Sequence, residues 1–591
     1  MNRFVFFPLL VILFIGMAPS VQPKSGPENS WTAVSPEGSL KIILLKASGS
    51  LRYAVLINGD TAIRESALGL TFSDESFNNG LAFVRAEDSS IDDHYQMVTG
   101  KRKKNEAKAN QVTVTFKNKI DRRIQLVLRA YNDGVAFRYR FPDAKEKDTV
   151  TEESTAFSIP LHGKAWLQSY SLPADWAPSY ENMYSNGTPI GENARDSSGY
   201  SFAALFQSKN NWLLLTEAGL DENFYGSHLQ EHCENGIYRI ARPQSGEARG
   251  LYSPFAITSG PFATPWRVII TGKSLKTIFE SNLVNHLSDP NRIGDVSWVK
   301  PGRSSWSWWS DHKSSRDFNS LKKYIDLSKE MGWEYSLVDA NWDLMQGGNI
   351  EQLANYAKTL GVRLSLWYNS AGPHSKITER PRDIMSDPQK RKEELKKIRA
   401  WGIAAIKVDF FNSDKQELIK LYQDILKDAA AEHIMVLFHG CTLQRGWART
   451  WPNLVTMEGV HGAEQYTWDK KFSAESPAQN IIYGLTRNVV GSMDYTPVTF
   501  SSYPCCRHST TNAYELALSV LFESGIIHFA DGAGNYEKTD ANIHEFLRKV
   551  PSTWDDSRFI QGYPGKELVI ARRSGDDWYV AAANGEDMEK P

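Results

Sequence analysis

The sequence predicts a multidomain α and β fold: a large N-terminal β-sandwich, a central (β/α)8 TIM barrel and a C-terminal all-β domain. Three observations carry this. Alternation at period two runs from about Trp31 to Arg292, short apolar strands alternate with amphipathic stretches from Ser304, and alternation returns after about Ile543. The implied division is a leader over 1–20, the sandwich over 21–292, the barrel over 293–545 and the start of a β-sandwich over 546–591.

The leader has Arg3 as its positive start, an apolar run from Phe4 to Ala18 and a small-residue cleavage site at Ala18-Pro19-Ser20, the pattern of a signal peptide. The run is short for a membrane span of about 20 residues, and Lys24, Ser25 and Gly26 follow it at once. An exported, periplasmic protein with no membrane span is expected. In the sandwich, runs such as Leu40–Leu45, Gln111–Phe116 and Ile124–Arg129 alternate and are separated by Asn-Gly or Asn-Asp-Gly turns. A helical pattern over Ser274–Leu287 reads as a connection to the barrel.

The barrel follows from eight candidate strands in series: 304–309, 335–340, 363–369, 405–411, 434–440, 454–460, 491–498 and 525–530. Between them, Phe318–Met331, Lys390–Trp401 and Lys415–Ala431 have helical spacing with charge outside. A doubly wound sheet is the competing fold, but no glycine-rich phosphate loop follows the first strand. The last segment alternates over Glu567–Arg572 and Trp578–Ala583, fewer strands than a stable sandwich needs, so this domain is expected to be minimal or incomplete.

Composition narrows the function. The 591 residues carry 67 Lys plus Arg against 69 Asp plus Glu, too neutral for a polyanion binder, so no nucleic acid is expected as a partner. Four cysteines, Cys233, Cys441, Cys505 and Cys506, are too few for a disulfide scaffold and lack zinc spacing. An aromatic content of 12% suits either well-filled cores or clefts in which sugar rings stack on indole and phenol.

Barrel enzymes work at the C-terminal ends of their strands, and these ends are acidic. Strand two closes with Asp339, followed by Trp342 and Asp343; strand four carries Lys407 and Asp409; strand five ends His439-Gly440; strand six delivers Glu458, with Glu464 in its loop; strand seven carries Asp494. Converging carboxylates are what glycoside hydrolysis requires. Asp343 and Asp494 read equally as helix caps or loop acceptors. Asp409 stands apart, because an unpaired charge inside Ile406–Phe411 would cost several kcal/mol, and Lys407 lies on the same strand face as a partner. Glu458 and Glu464, six apart around Gly459 and Gly462, could bind a hard cation such as calcium or form a solvated acidic loop.

Four segments, Gly302–Trp309, Lys407–Phe411, Glu458–Tyr466 and Asp494–Pro497, resemble glycoside hydrolase family 97 over nearly the whole chain. That family comprises bacterial exo-α-glycosidases with a β-super-sandwich, a barrel and a C-terminal β-sandwich. The resemblance implies two branches. The inverting α-glucosidases carry a Glu beside the His of strand five, whereas the retaining branch, mainly α-galactosidases, carries an Asp on strand four. His439-Gly440 and Asp409 match the second. By the same resemblance Asp409 is the nucleophile, Glu464 the general acid/base, and Glu181, Glu458 and Glu464 hold calcium, with Glu192 as the alternative to Glu181. Candidate substrate contacts are Trp308, Asp339, Trp342, His374 and Lys407. The expected function is a calcium-dependent exo-acting retaining α-galactosidase, monomeric or homodimeric, acting on an oligosaccharide or galactoside. β-L-arabinopyranosides share galactose's ring pattern and are further candidates. An inverting α-glucosidase and a non-catalytic carbohydrate-binding protein are the alternatives.

Overall fold

The computed structural model describes residues 29–586, so the expected leader lies outside the described residues. No helix among them is long and apolar enough to cross a membrane.

Among the described residues, seventeen strands between Ser30 and Gly272 join through hydrogen bonds into the N-terminal sandwich, with a further three-stranded sheet beside it. Alternation builds it: Leu40–Ala47 buries Leu40, Ile42 and Leu44 on one face. Its core is aromatic, with Tyr53, Phe137, Trp166 and Trp266 at most 1% exposed. Between the strands Gly163–Ser169 and Tyr200–Ser208 a long excursion, interrupted only by Thr188–Pro189, leaves the sandwich and reaches the barrel mouth.

The barrel has seven regular parallel strands: β1 (Gly302–Trp306), β2 (Tyr335–Val338), β3 (Arg363–Asn369), β4 (Ala405–Asp409), β5 (Met435–Phe438), β6 (Leu454–Met457) and β7 (Ile526–Phe529), paired in the order β6-β5-β4-β3-β2-β1-β7. The expected strand over 491–498 forms no ladder. Pro497 has no N–H to donate, and Thr496 and Val498 have φ of 57° and 74°, values that extended backbone does not use. The segment still fills the gap between β6 and β7. Asp494 N donates to Met457 O at 2.9 Å on one side, and Pro497 O accepts from Ala530 N at 3.3 Å on the other.

Helices cover the outside, and their ends explain their limits. In α1 (Phe318–Met331) the Asp317 carboxylate accepts from Asn319 N and Ser320 N, and Gly332 terminates it at φ 64°. Pro388 opens α2 (Pro388–Ala400), whose N-cap is Asp387. The C-terminal region is one antiparallel sheet of Asp556–Tyr563, Glu567–Ser574 and Asp577–Asn584. Arg572, fully buried, pins it to the barrel by donating to Val520 O and Leu521 O at 2.7 and 2.9 Å, at the end of the helix Asn512–Leu521.

Sandwich and barrel are locked together by a buried ion network. Arg445, from the loop after β5, donates to Glu217 of the sandwich at 2.5 Å and to Asp414, after β4, at 2.7 Å; Arg267 joins Glu217 at 2.5 Å and also holds Glu153. Removing one member strands the others without water. Arg445→Ala is therefore expected to lower the free energy of unfolding by about 3–5 kcal/mol, read from urea denaturation. A loss below about 1 kcal/mol would mean that the network behaves like an exposed pair.

Candidate active site

Each acidic side chain reaches the mouth for a local reason. In β4 every residue is buried, and Lys407 and Asp409, two apart, share a face. Phe410 and Asn412 then take positive φ, 70° and 47°, and turn the chain across the rim. Asp339 follows β2, His439 and Gly440 follow β5, and Glu458 follows β6. Glu464 and Gln465 lie in the short helical turn Ala463–Thr467. Together with Glu181 from the sandwich excursion they line a cavity of about 490 Å3. His461 ties that excursion down: Nδ1 bonds Glu181 O, and Nε2 bonds Asp469 Oδ2 at 3.0 Å.

At the floor, Trp306 Nε1 and Lys407 Nζ donate to Asp339 Oδ2 at 2.6 and 3.2 Å, and Ala340 N donates to Asp339 Oδ1 at 2.7 Å. Burial works against the Lys407 ammonium, but Asp339 and then Asp409 hold it above its ordinary range. Asp409 Oδ2 accepts from Trp367 Nε1 at 3.0 Å. Burial pushes its carboxyl up to about 6, against the pull of Lys407 and His439.

His439 lies between two carboxylates, with Nε2 2.7 Å from Asp494 Oδ2 and Nδ1 3.2 Å from Glu458 Oε1. Asp494 also contacts His528 Nδ1 at 2.8 Å. Burial disfavours the imidazolium, yet Glu458 beside it holds His439 well above its ordinary range. Glu458 is correspondingly drawn below the carboxylate range despite its burial, and Gly440 N donates to its Oε2 at 2.8 Å. Glu464 and Glu181 go the other way: burial first, and the Glu458 charge second, push both well up. The two carboxyls are thus pushed in opposite directions, Glu458 toward its ionised form and Glu464 toward its protonated one.

Gly440 has a steric role. A Cβ there would lie 2.6 Å from Asp409 Oδ1 and 2.6 Å from Phe410 N, and φ is 46°. The carboxylate on strand four occupies the space that a side chain after strand five would need.

Oxygen donors for a cation converge here. Carboxylate oxygens of Glu458 and Glu464 and a ring nitrogen of His439 lie within 4.8 Å of one another. Both His439 ring nitrogens already face carboxylates, Nε2 at 2.7 Å from Asp494 Oδ2 and Nδ1 at 3.2 Å from Glu458 Oε1. Glu181 lines the same cavity, and its carboxyl feels the Glu458 and Glu464 charges.

Of the residues predicted from sequence, Glu181, Trp308, Asp339, Lys407, Asp409, Glu458 and Glu464 line the one cavity. Trp342 and His374 do not: the Trp342 indole donates to Trp367 O at 2.8 Å, and His374 is buried against Ser370 Oγ at 3.3 Å. Glu192 lies in a separate cavity with Tyr184 and Arg195. Asp343 pairs with Arg380 at 2.8 Å, a surface role. Sequence reasoning gave no site role to Trp176, Trp367, Asn412, His439 or Trp468, all of which line the cavity. His439 and Trp367 were accessible as strand-end residues. Trp176 and Asn412 carried no signal.

Comparison with known proteins agrees with this architecture. Residues 33–290 match the glycosyl-hydrolase 97 N-terminal model, 298–460 the glycoside hydrolase 97 model, and 553–590 the glycosyl-hydrolase 97 C-terminal, oligomerisation model. The chain is 31% identical over 578 residues to a probable retaining alpha-galactosidase of Streptomyces bingchenggensis, covering 94% of this chain and 84% of that protein. It is 26% identical over 598 residues to the retaining alpha-galactosidase of Bacteroides thetaiotaomicron, covering 94% and 87%. Among solved structures it resembles a beta-arabinopyranosidase with TM-score 0.90 and 33% identity, over 94% of this chain and 90% of that one. A family 97 enzyme of Pseudoalteromonas sp. strain K8 in complex with panose shares the fold, with TM-score 0.83 and 24% identity over 94% and 89%. A parallel barrel with buried carboxylates at its mouth, matched by these relatives, is a glycosidase scaffold. The chain belongs to glycoside hydrolase family 97.

Proposed function

We propose that the protein is an exo-acting, retaining, calcium-dependent α-galactosidase. The observation that supports it best is the pairing of Asp409, on β4, with a side-chain-free Gly440 after β5, in one cavity with Glu464, whose carboxyl is pushed toward its protonated form by burial. Asp409 attacks the anomeric carbon of a terminal α-galactoside while Glu464 gives its proton to the departing oxygen. The glycosyl–Asp409 ester forms with inversion. Glu464, now ionised, removes a proton from water, which displaces Asp409 with a second inversion and frees α-galactose. Lys407 and Asp339, held in fixed relation at the cavity floor, are placed to bind sugar hydroxyls.

Glu181, Glu458 and Glu464 would hold the calcium. The fit rests on the donors: carboxylate oxygens of Glu458 and Glu464 lie within 4.8 Å of one another, and Glu181 lines the same cavity, hard oxygen ligands of the kind calcium takes. When bound, the ion supplies Lewis-acid polarisation of sugar oxygens. The galactoside preference is carried over from the retaining alpha-galactosidases at 31% and 26% identity. The likeness to a beta-arabinopyranosidase at 33% identity favours a second substrate, β-L-arabinopyranosides, which lack the hydroxymethyl group but share the ring pattern.

Proton NMR of para-nitrophenyl α-galactoside, α-glucoside and β-L-arabinopyranoside hydrolysis, with and without chelator, tests the proposal. The expected first product is α-galactose, lost on chelation and restored by calcium. A β-anomer appearing first would mean inversion, full activity in chelator would remove the ion from the mechanism, and turnover of glucoside alone would reassign the substrate.

A further inference from the structure

The loop that leaves Asp409 folds against the sandwich, and both segments in that contact are strained. In the barrel loop, Phe410 and Asn412 have φ of 70° and 47°; in the sandwich segment 244–252, Ala248, Arg249 and Tyr252 have φ of 51°, 60° and 63°. None of the five is glycine, so each holds a conformation that its Cβ disfavours and that persists only where the surroundings over-determine it.

Two buried charges that cross between the domains supply that constraint. Glu247, 0% exposed, belongs to the sandwich segment, and its Oε2 accepts from Ser413 Oγ at 2.8 Å and Asp414 N at 2.9 Å, both in the loop after β4. Its Oε1 accepts from Gln244 N at 2.7 Å and Tyr170 Oη at 2.8 Å, on the sandwich side. Lys415, also 0% exposed, answers from the barrel: Nζ donates to the carbonyls of Ser245, Glu247, Leu251 and Tyr252 at 2.9, 2.9, 2.7 and 3.2 Å. Each segment's charge thus holds the other segment.

Neither charge lines the cavity, but the residues between them and Asp409 do: Phe410 and Asn412 form its wall, and Asn412 N donates to Gly440 O at 3.0 Å. The Arg445 network already joins the two domains through Glu217 and Asp414, so adhesion alone leaves the strain beside Asp409 unexplained. We propose that Glu247 and Lys415 are positioning residues for the nucleophile, a reciprocal clamp through which the sandwich sets the path of the chain leaving Asp409 and with it the line of attack. This rests on the assignment of Asp409 above and deepens it, giving the N-terminal domain a part in the displacement besides Glu181.

Glu247 can be disarmed without changing its size. Each of its oxygens accepts from one backbone N–H, so in Glu247→Gln the carboxamide nitrogen faces a backbone donor in either orientation and one side of the clamp is lost. Lys415→Met removes the ammonium and keeps the length of the side chain. For an aryl α-galactoside, kcat is expected to fall about 10- to 100-fold in each variant while KM stays within about twofold. In an Asp409→Ala background, with azide from solution as the nucleophile, the same substitutions are expected to change the rate by less than about threefold, because the chain no longer carries the attacking group. Arg572→Ala, which frees the C-terminal sheet from the barrel, controls for stability: its urea midpoint falls and its kcat stays. If a clamp variant fails to fold, Ser413→Ala, which removes one of the two bonds to Oε2, carries the same comparison with a fall of about fivefold in the Asp409 reaction alone. Wild-type kcat in the clamp variants, or an equal loss in the azide reaction, overturns the clamp and leaves Asp409 in place. Unchanged hydrolysis by Asp409→Ala overturns the nucleophile itself, and the clamp with it.

Discussion

Asp409→Ala is expected to lower kcat for an aryl α-galactoside by at least about 10³-fold, because a lost covalent nucleophile leaves only binding and the remaining acid. The carboxylate is buried at the cavity wall and held by Trp367 Nε1, so its removal opens a pocket facing the anomeric carbon. A small anion can enter that pocket. Azide is expected to restore turnover and to give β-galactosyl azide, since it attacks from the face Asp409 used. Unchanged hydrolysis, or an α-configured azide, would remove Asp409 as nucleophile. The pH profile gives a second signature. Burial raises Asp409 to about 6, and only its ionised form attacks. Wild-type kcat/KM therefore rises with pH through about 6 and falls about tenfold per unit below it. That limb should vanish in the azide-rescued variant, whose nucleophile is not a protein carboxylate.

What was legible in the sequence follows from what is local. A charge inside the apolar run of β4 has few explanations, so Asp409 and Lys407 stood out, and both line the cavity. Seven barrel strands were visible because a parallel strand is a short apolar run bounded by turns. The eighth was read the same way from 491–498, but there Pro497 and the positive φ of Thr496 and Val498 convert an apolar run into an irregular plug. Strand-end position alone does not fix side-chain direction. Trp342 and Asp339 lie three apart after β2, yet Asp339 faces the cavity while Trp342 turns to bond Trp367 O. The rim was invisible for a different reason. Trp176 reaches the mouth through a long excursion of another domain, and no periodicity encodes a contact across that distance in sequence. The buried Arg445–Glu217 pair that fixes the two domains was equally silent, because each partner alone reads as an ordinary surface charge.

Gly440→Ala is expected to reduce kcat about 100-fold while KM changes little, the penalty of displacing a reacting group by about 1 Å. Two costs arise at once. A non-glycine residue in left-handed backbone costs about 1–2 kcal/mol, and φ here is 46°. The added Cβ also lies 2.6 Å from Asp409 Oδ1 and 2.6 Å from the Phe410 nitrogen, neither of which belongs to a long, yielding side chain. Asp409 must move, and with it the line of attack. A double-mutant cycle separates the costs. With Asp409 already replaced by Gly, the Ala at 440 keeps its backbone penalty but loses the contact with the carboxylate, so its effect on stability should shrink by about 1 kcal/mol or more, as for residues in contact. Simple additivity in urea denaturation, or a Gly440→Ala enzyme with wild-type kcat, would show that Asp409 has room to spare. In that case the missing side chain after β5 would not be what permits a nucleophile on β4, and the retaining assignment would lose its main structural support.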